Sequence, residues 1–208
     1  MSQYIDKWHV MTYDYSVSDI ASASITGANS PLYNPTMSGP AQFDSVNTTI
    51  TGYIASGVPK SQIMIGTALY GHSWYVPGLS GTAWQKYGIP AQKQNACFGP
   101  FKDTYGGAPG QSSKQCGTLM YTEIMAQNPQ LFQDPKSQSM IGYTSEGIWF
   151  TFDNEQTLDL KAKYAVEMDV AGAFAFDTSM DTSEYTLMKS MRAALGPKET
   201  QEENIVEG

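Results

Sequence analysis

Residues 62–69 read Gln-Ile-Met-Ile-Gly-Thr-Ala-Leu, apolar almost without a break. Strands buried on both faces have this composition, and such strands belong to parallel sheets, whose two faces are both covered. The residues before them fit that reading. Over 43–57, Val46, Ile50, Tyr53 and Ile54 fall at i, i+4, i+7 and i+8, one face of a helix. Gly57 is placed to cap that helix and Pro59 to stop it. Upstream lies a loop, 15–40, rich in Ser, Gly, Asn and Pro, with turn signals at Asn29-Ser30-Pro31 and Asn34-Pro35. Before it, Trp8 to Tyr13 is a short apolar and aromatic run that predicts a buried strand. Strand, loop, helix, strand is a βαβ unit.

Downstream the rhythm breaks. Residues 75–147 hold many Gly and Pro residues, both cysteines and short aromatic pieces, with one helix-like stretch at 119–127. This segment predicts a separate α+β insertion. The regular pattern resumes with a strand at Ile148 to Phe152. A helix follows over 155–168, with Leu158, Ala162, Ala165 and Val166 on its inner face and Asp153 or Asn154 as N-cap. Residues 170–176, Val-Ala-Gly-Ala-Phe-Ala-Phe, predict another buried strand. A last amphipathic helix over 183–195 turns Leu187, Met191 and Ala194 inward and ends at Gly196-Pro197. The acidic tail, 198–208, predicts disorder.

Composition excludes several function classes. The chain carries twelve Lys and Arg against twenty Asp and Glu, a formal net charge of -8. Nucleic-acid affinity comes largely from basic side chains, so a phosphate-backbone partner is not expected. No basic cluster suits a membrane surface, and no run of eighteen apolar residues could span one. The first ten residues contain Asp6, Trp8 and His9 and do not read as a signal peptide. Hydrophobic residues make up 41% of the chain, enough for a core. Cys97 and Cys116 could close a disulfide in an oxidising compartment, worth roughly 3 kcal/mol in the chain-entropy model, or be two partly buried thiols. Asn47-Thr48-Thr49 matches a glycosylation sequon.

Four segments, in this order, resemble glycoside hydrolase family 18, the chitinase family. Met11-Thr12-Tyr13-Asp14 resembles the M-x-Y-D signature on barrel strand six. Asn29-Ser30-Pro31-Leu32-Tyr33 is similar to the A-P-L-Y turn after it. Gly57-Val58-Pro59-Lys60, followed by Ile65 to Trp74, is similar to G-V-P-x-x-K-x-x-x-G-x-P-x-Y-G-R-S-W. Trp149-Phe150-Thr151-Phe152-Asp153-Asn154 resembles W-x-S-Y-D-D, and Lys161 to Tyr164 and the strand-eight segment Gly172 to Phe176 follow it.

The resemblance, running from about residue 4 to 195, implies an α/β fold: the C-terminal three strands of a (β/α)8 barrel with an α+β insertion domain. It implies barrel segments at 1–70 and 154–197 and an insertion domain at 71–153. Strands one to five, with the D-x-x-D-x-D-x-E motif that carries the catalytic acid, are not among these residues. Closing the barrel would need that upstream half.

The chemistry the resemblance implies is substrate-assisted. The acetamido oxygen of an N-acetylglucosamine unit attacks its own anomeric carbon, and the enzyme supplies an acid but no carboxylate nucleophile. Tyr13 would donate its hydroxyl to the acetamido oxygen, and Asp14 would bind substrate nearby and favour the cationic intermediate. Met11 would line the pocket floor. Tyr70 and Trp74 could face sugar rings, although Trp74 also suits the insertion core, as Trp149 and Phe152 do. His72 stands where the family has Arg. Phe176 stands where it has Trp, keeping a hydrophobic floor but losing the indole N–H. No cofactor and no metal is implied. The ligand implied is chitin or its oligomers, and the parent protein is expected outside the cell.

Asp177, Asp181 and Glu184 form a D-x-x-x-D-x-x-E decoy. On one strand, residues share a face only at even spacings, so the decoy does not match the acid motif. It reads instead as a loop and a helix start, with Asp181 or Ser183 capping and Glu184 in the first turn. Two further readings compete with hydrolysis: a non-hydrolytic chitinase-like carbohydrate-binding protein, and an unrelated α/β domain without parallel pairing among these strands.

Overall fold

The computed structural model describes residues 2–18, 23–38, 40–93, 105–112 and 114–196. Its elements run β1 (Trp8–Val10), α1 (Val46–Ala55), β2 (Ile63–Ala68), β3 (Tyr70–Tyr75), β4 (Thr118–Met120), α2 (Tyr121–Ala126), β5 (Gln130–Gln133), β6 (Met140–Tyr143), β7 (Ile148–Phe152), α3 (Glu155–Glu167), β8 (Gly172–Phe176) and α4 (Thr186–Leu195).

The apolar run at 62–69 is the middle of a parallel sheet. β2 pairs with β1 on one edge and β8 on the other, with Val10 opposite Ile65 and Phe174 opposite Gly66. Ile63, Ile65 and Ala68 are fully buried. Val10, Ile63 and Ile65 pack with Val46 and Ile50 of α1 and Tyr164 and Ala165 of α3. The other face carries Gly66, and a Cβ there would meet Val10 O at 2.6 Å and the Tyr13 ring at 2.9 Å. Glycine therefore lets the Tyr13 ring lie over β2.

Several elements are shorter than their sequence signal. β1 stops at Val10 rather than Tyr13. The Thr12 N–H turns back to Val10 O at 2.9 Å, and Thr12 Oγ1 donates to Gly66 O at 2.6 Å, which takes the chain out of the ladder. α1 starts at Val46, because Ser45 caps it by accepting from the Thr48 N–H at 3.1 Å. It closes as the glycine predicts: Gly57 sits at φ 87, its N–H reaches Ile54 O, and the Val58 N–H reaches Tyr53 O. α3 has Asn154, not Asp153, as its N-cap.

Two burial expectations fail together. Val166 is 55% exposed, and β8 is only half-buried along most of its length. Both flank the outer edge of β8, which carries no strand among the described residues. There Val166, Val170, Leu195 and Met64 line an open cavity of about 610 Å³. An apolar residue on a helix face is buried only if something packs on that face.

The second sheet is antiparallel, in the order β4-β3-β7-β6-β5. The expected helix at 119–127 starts at Tyr121, because Thr118–Met120 pairs with β3. Phe150, Phe152 and Leu119 pack with Ile124, Leu158 and Leu187, joining this sheet to α2, α3 and α4. On its other side Trp74, Trp84, Tyr87 and Trp149 form an aromatic cluster. α4 buries Leu187 and Met191, with Ala194 half-buried. Cys116 is disulfide-bonded, while Cys97 and the acidic tail 198–208 lie outside the described residues. Asn47 accepts a hydrogen bond from the Tyr164 hydroxyl at 3.0 Å, so its side chain is engaged within the fold.

Candidate active site

The three parallel strands all point the same way, and the predicted site residues gather past their C-terminal ends. Tyr13 and Asp14 follow β1, Tyr70 and His72 follow β2 by way of Leu69, and Phe176 ends β8. Ring centroids lie 6.0 Å apart for Tyr13 and Tyr70, 6.0 Å for Tyr13 and Phe176, and 6.2 Å for Tyr70 and Phe176. Ala68, Phe174 and Met180 pack beneath them.

Asp14 is the electrostatic centre. Tyr70 and His72 alternate along β3 and so share a face. The Tyr70 hydroxyl donates to Asp14 Oδ1 at 2.6 Å, and His72 Nε2 lies 2.8 Å from the same oxygen. His72 is buried, with Nδ1 3.3 Å from Thr118 Oγ1. Burial would raise the Asp14 carboxyl, but the hydrogen bonds from His72 and Tyr70 and the attraction of His72 together hold it below the ordinary carboxylate range. Burial, and then the negative charge of Asp14, push the Tyr13 hydroxyl above its ordinary value. Tyr70 is pushed up further, by burial and by its hydrogen bond to Asp14. At neutral pH the cluster therefore holds one carboxylate and two protonated phenols. The Tyr13 hydroxyl has no hydrogen-bond partner among the described residues.

Asp14 has φ 61, a left-handed backbone that Asp tolerates better than most residues. Its N–H donates to Asn29 Oδ1 at 2.9 Å, and the Tyr15 N–H donates to Asn29 O at 3.0 Å. Asn29 Nδ2 reaches Tyr70 O at 3.4 Å. Asn29 and Thr118 thus belong to the site's support. The turn signal at Asn29-Ser30-Pro31 marked the place but not the role.

The other expected residues divide. Phe176 is 49% exposed beside Tyr13. Met11 is 70% exposed, just before the bend at Thr12. Trp74 is fully buried, donates to Ala23 O at 3.0 Å and packs on Trp149 at 5.6 Å, so it belongs to the aromatic core and not to the cleft. In the decoy, Asp177 caps a turn through the Ser179 N–H, and Asp181 accepts from the N–H groups of Leu187 and Met188 at the start of α4. Glu184 is exposed in the preceding turn, outside the helix.

A parallel strand group with its candidate site side chains at the strands' C-terminal ends is the arrangement that (β/α)-barrel proteins share. The chain belongs to Glycosyl hydrolases family 18, whose sequence model matches residues 1–181. Chitotriosidase-1 of Mus musculus is 28% identical over 96% of this chain and 41% of its own length. A probable endochitinase of Caenorhabditis elegans is 27% identical over 83% of this chain and 25% of its own length. The chain thus spans less than half of these curated relatives. Among solved structures, human YKL-39, a pseudo-chitinase with retained chitooligosaccharide binding properties, superposes with a TM-score of 0.76 at 21% identity, over 94% of this chain and 52% of that one. A family 18 chitinase from Cycas revoluta in complex with allosamidin superposes with a TM-score of 0.72 at 24% identity, over 94% and 48%. These likenesses establish the fold as α/β, three strands of a (β/α)8 barrel with an α+β insertion.

Proposed function

We propose that this chain carries the acetamide-holding side of a cleft that cleaves β-1,4-linked N-acetylglucosamine polymers by substrate-assisted, retaining hydrolysis. The protonating acid is not among its residues. One observation carries the reading: a free, protonated Tyr13 hydroxyl stands beside an ionised Asp14 whose Oδ1 is already held by two donors. The hydroxyl would donate to the acetamido oxygen and hold it under the anomeric carbon, which is positioning for intramolecular attack. As the bond from that carbon to the leaving oxygen breaks, positive charge develops, and the Asp14 carboxylate favours it. Phe176 offers an apolar floor to the sugar.

The division into barrel segments at 1–70 and 154–197 and an insertion domain at 71–153 belongs to the same reading. So does an extracellular parent, which the disulfide-bonded Cys116 supports. No helix among the described residues is long and apolar enough to cross a membrane. A second reading, binding without hydrolysis, draws on Phe176 in the place of the family's Trp and on the likeness to a pseudo-chitinase.

The test is hydrolysis of a chromogenic N-acetylglucosamine oligomer. A positioned acid contributes about 10²–10⁴-fold, so the 208-residue chain alone is expected to be inactive. Joined to the upstream half of a family 18 barrel carrying the acid motif, it should cleave. Robust cleavage by the chain alone would overturn the assignment and direct attention to Asp177, Asp181 and Glu184. Binding without cleavage in the joined protein would establish the second reading.

A further inference from the structure

Tyr13 and Asp14 lie beyond the β1–β2 ladder, so no sheet hydrogen bond holds them. The segment is held instead from the side. Thr12 O accepts from Ser30 Oγ at 2.6 Å, and the Asp14 and Tyr15 N–H groups both donate to Asn29. Thr12, Asp14 and Tyr15, on either side of Tyr13, thus hang on two neighbouring loop residues. Asn29 is fixed by its own N–H, which donates to Thr151 Oγ1 of β7 at 3.1 Å. Ser30 is fixed by a charge: Lys161 Nζ donates to Ser30 Oγ at 2.6 Å and pairs with Asp153, to which Thr157 Oγ1 also donates at 2.8 Å. Lys161 and Asp153 are essentially inaccessible to solvent, and Ser30 is 2% exposed.

The chemistry gives this chain of bonds a direction. A hydroxyl has one hydrogen and can accept on its lone pairs. Lys161 occupies a lone pair of Ser30, so the single Ser30 hydrogen goes to Thr12 O and the hydroxyl has no alternative rotamer of equal energy. Hydrogen bonds in such chains polarise one another. Asp153 holds the ammonium in place from the other side. The ionised pair sits on the β7–α3 junction, the Ser30 hydroxyl on the loop, and the carbonyl it grips is the one directly before Tyr13.

We propose that Ser30, held by the buried Lys161–Asp153 pair, is the positioning residue that fixes the Tyr13–Asp14 segment against the strand ends. Its bearing on hydrolysis rests on the reading of Tyr13 above, but the positioning itself does not.

The experiment is site-resolved amide hydrogen exchange on the 208-residue chain, comparing the parent with Ser30→Ala. Local opening of the segment should raise exchange at Asp14 and Tyr15 by about tenfold, the worth of one buried hydrogen bond. The ladder amides of β2 and β7 should keep their parent rates, which a merely global destabilisation would not allow. Unchanged exchange at Asp14 and Tyr15, or equal acceleration everywhere, would overturn the proposal. Should Ser30→Ala fail to fold, the paired variant Lys161→Met with Asp153→Leu removes both charges and keeps the Ser30 hydroxyl. Faster exchange at Asp14 and Tyr15 then supports the proposal, and parent rates there refute it. No sugar enters this readout, so its failure is distinct from failure of the hydrolysis test.

Discussion

Replacing Lys161 by Met tests the energetics of the buried pair. Lys161 is 0% and Asp153 1% exposed at their side chains. Removing the ammonium leaves the Asp153 carboxylate buried with the Thr157 hydroxyl as a remaining donor, and it takes from Ser30 the donor it accepts. Breaking a buried pair from one side costs about 3–5 kcal/mol. In a domain of this size that lowers the thermal midpoint by roughly 6–20 °C. Burial pulls the Lys161 ammonium below the ordinary lysine range, outweighing the opposing attraction of Asp153. Desolvation therefore dominates, and removing both charges should be far milder: Lys161→Met with Asp153→Leu is expected within about 1 kcal/mol of the parent. Urea unfolding, followed by fluorescence of the buried Trp74, Trp84 and Trp149, gives the midpoints and avoids aggregation on heating. A single variant within about 1 kcal/mol of the parent, or a double variant as unstable as the single, would refute the reasoning.

In the joined protein, Tyr13→Phe should lower kcat by about 10²-fold while KM changes little, because the hydroxyl acts mainly as the acetamide attacks; an unchanged turnover would remove Tyr13 from the mechanism. In an alkaline titration followed by ultraviolet absorbance, Tyr13, Tyr15, Tyr70, Tyr87, Tyr121 and Tyr164 should ionise late, with Tyr15 and Tyr164 near about 12. Their folded values lie above the unfolded ones, so their contribution to stability is complete below the ordinary tyrosine value and is lost as pH rises above it. A folded chain in which all tyrosines titrate together at the ordinary value would contradict this. Gly66→Ala should destabilise by about 1–3 kcal/mol, since its Cβ strikes the Val10 carbonyl and the Tyr13 ring; a parent-like urea midpoint would disprove the close approach. The open edge of β8 and the apolar cavity beside it should make the isolated chain bind a hydrophobic dye or aggregate, less so with Val166→Lys. A sharp cooperative melt from a monodisperse monomer would count against that.

Residues 62–69 announced a central parallel strand because burial on both faces removes the need for polar alternation, and that signal is local. The periodicity of α1 and α3 and the Gly57 cap were legible for the same reason: each depends on neighbours in the chain. The Tyr13-Asp14 pair stood out only through its likeness to the family's M-x-Y-D signature. Where β1 ends was not, because the bend at Thr12 depends on a carbonyl of β2. Tyr70, His72 and Trp74 share one face of β3, so alternation alone does not separate them. Only the fold sets the first two against Asp14 and buries the third on Trp149. Val166 matched the inner face of α3 yet faces an open cavity, because periodicity says which side of a helix is apolar and not what lies across from it. No sequence signal marked Lys161 as buried; the fold closes it off against Asp153 and Ser30, 8 and 131 residues away. The sequence by itself determined the parallel strands and the helices that cover them, and pointed by resemblance to the Tyr13-Asp14 pair past the end of β1. The tertiary structure decided which polar groups hold that pair, because hydrogen bonds between distant segments leave no periodic trace in the chain.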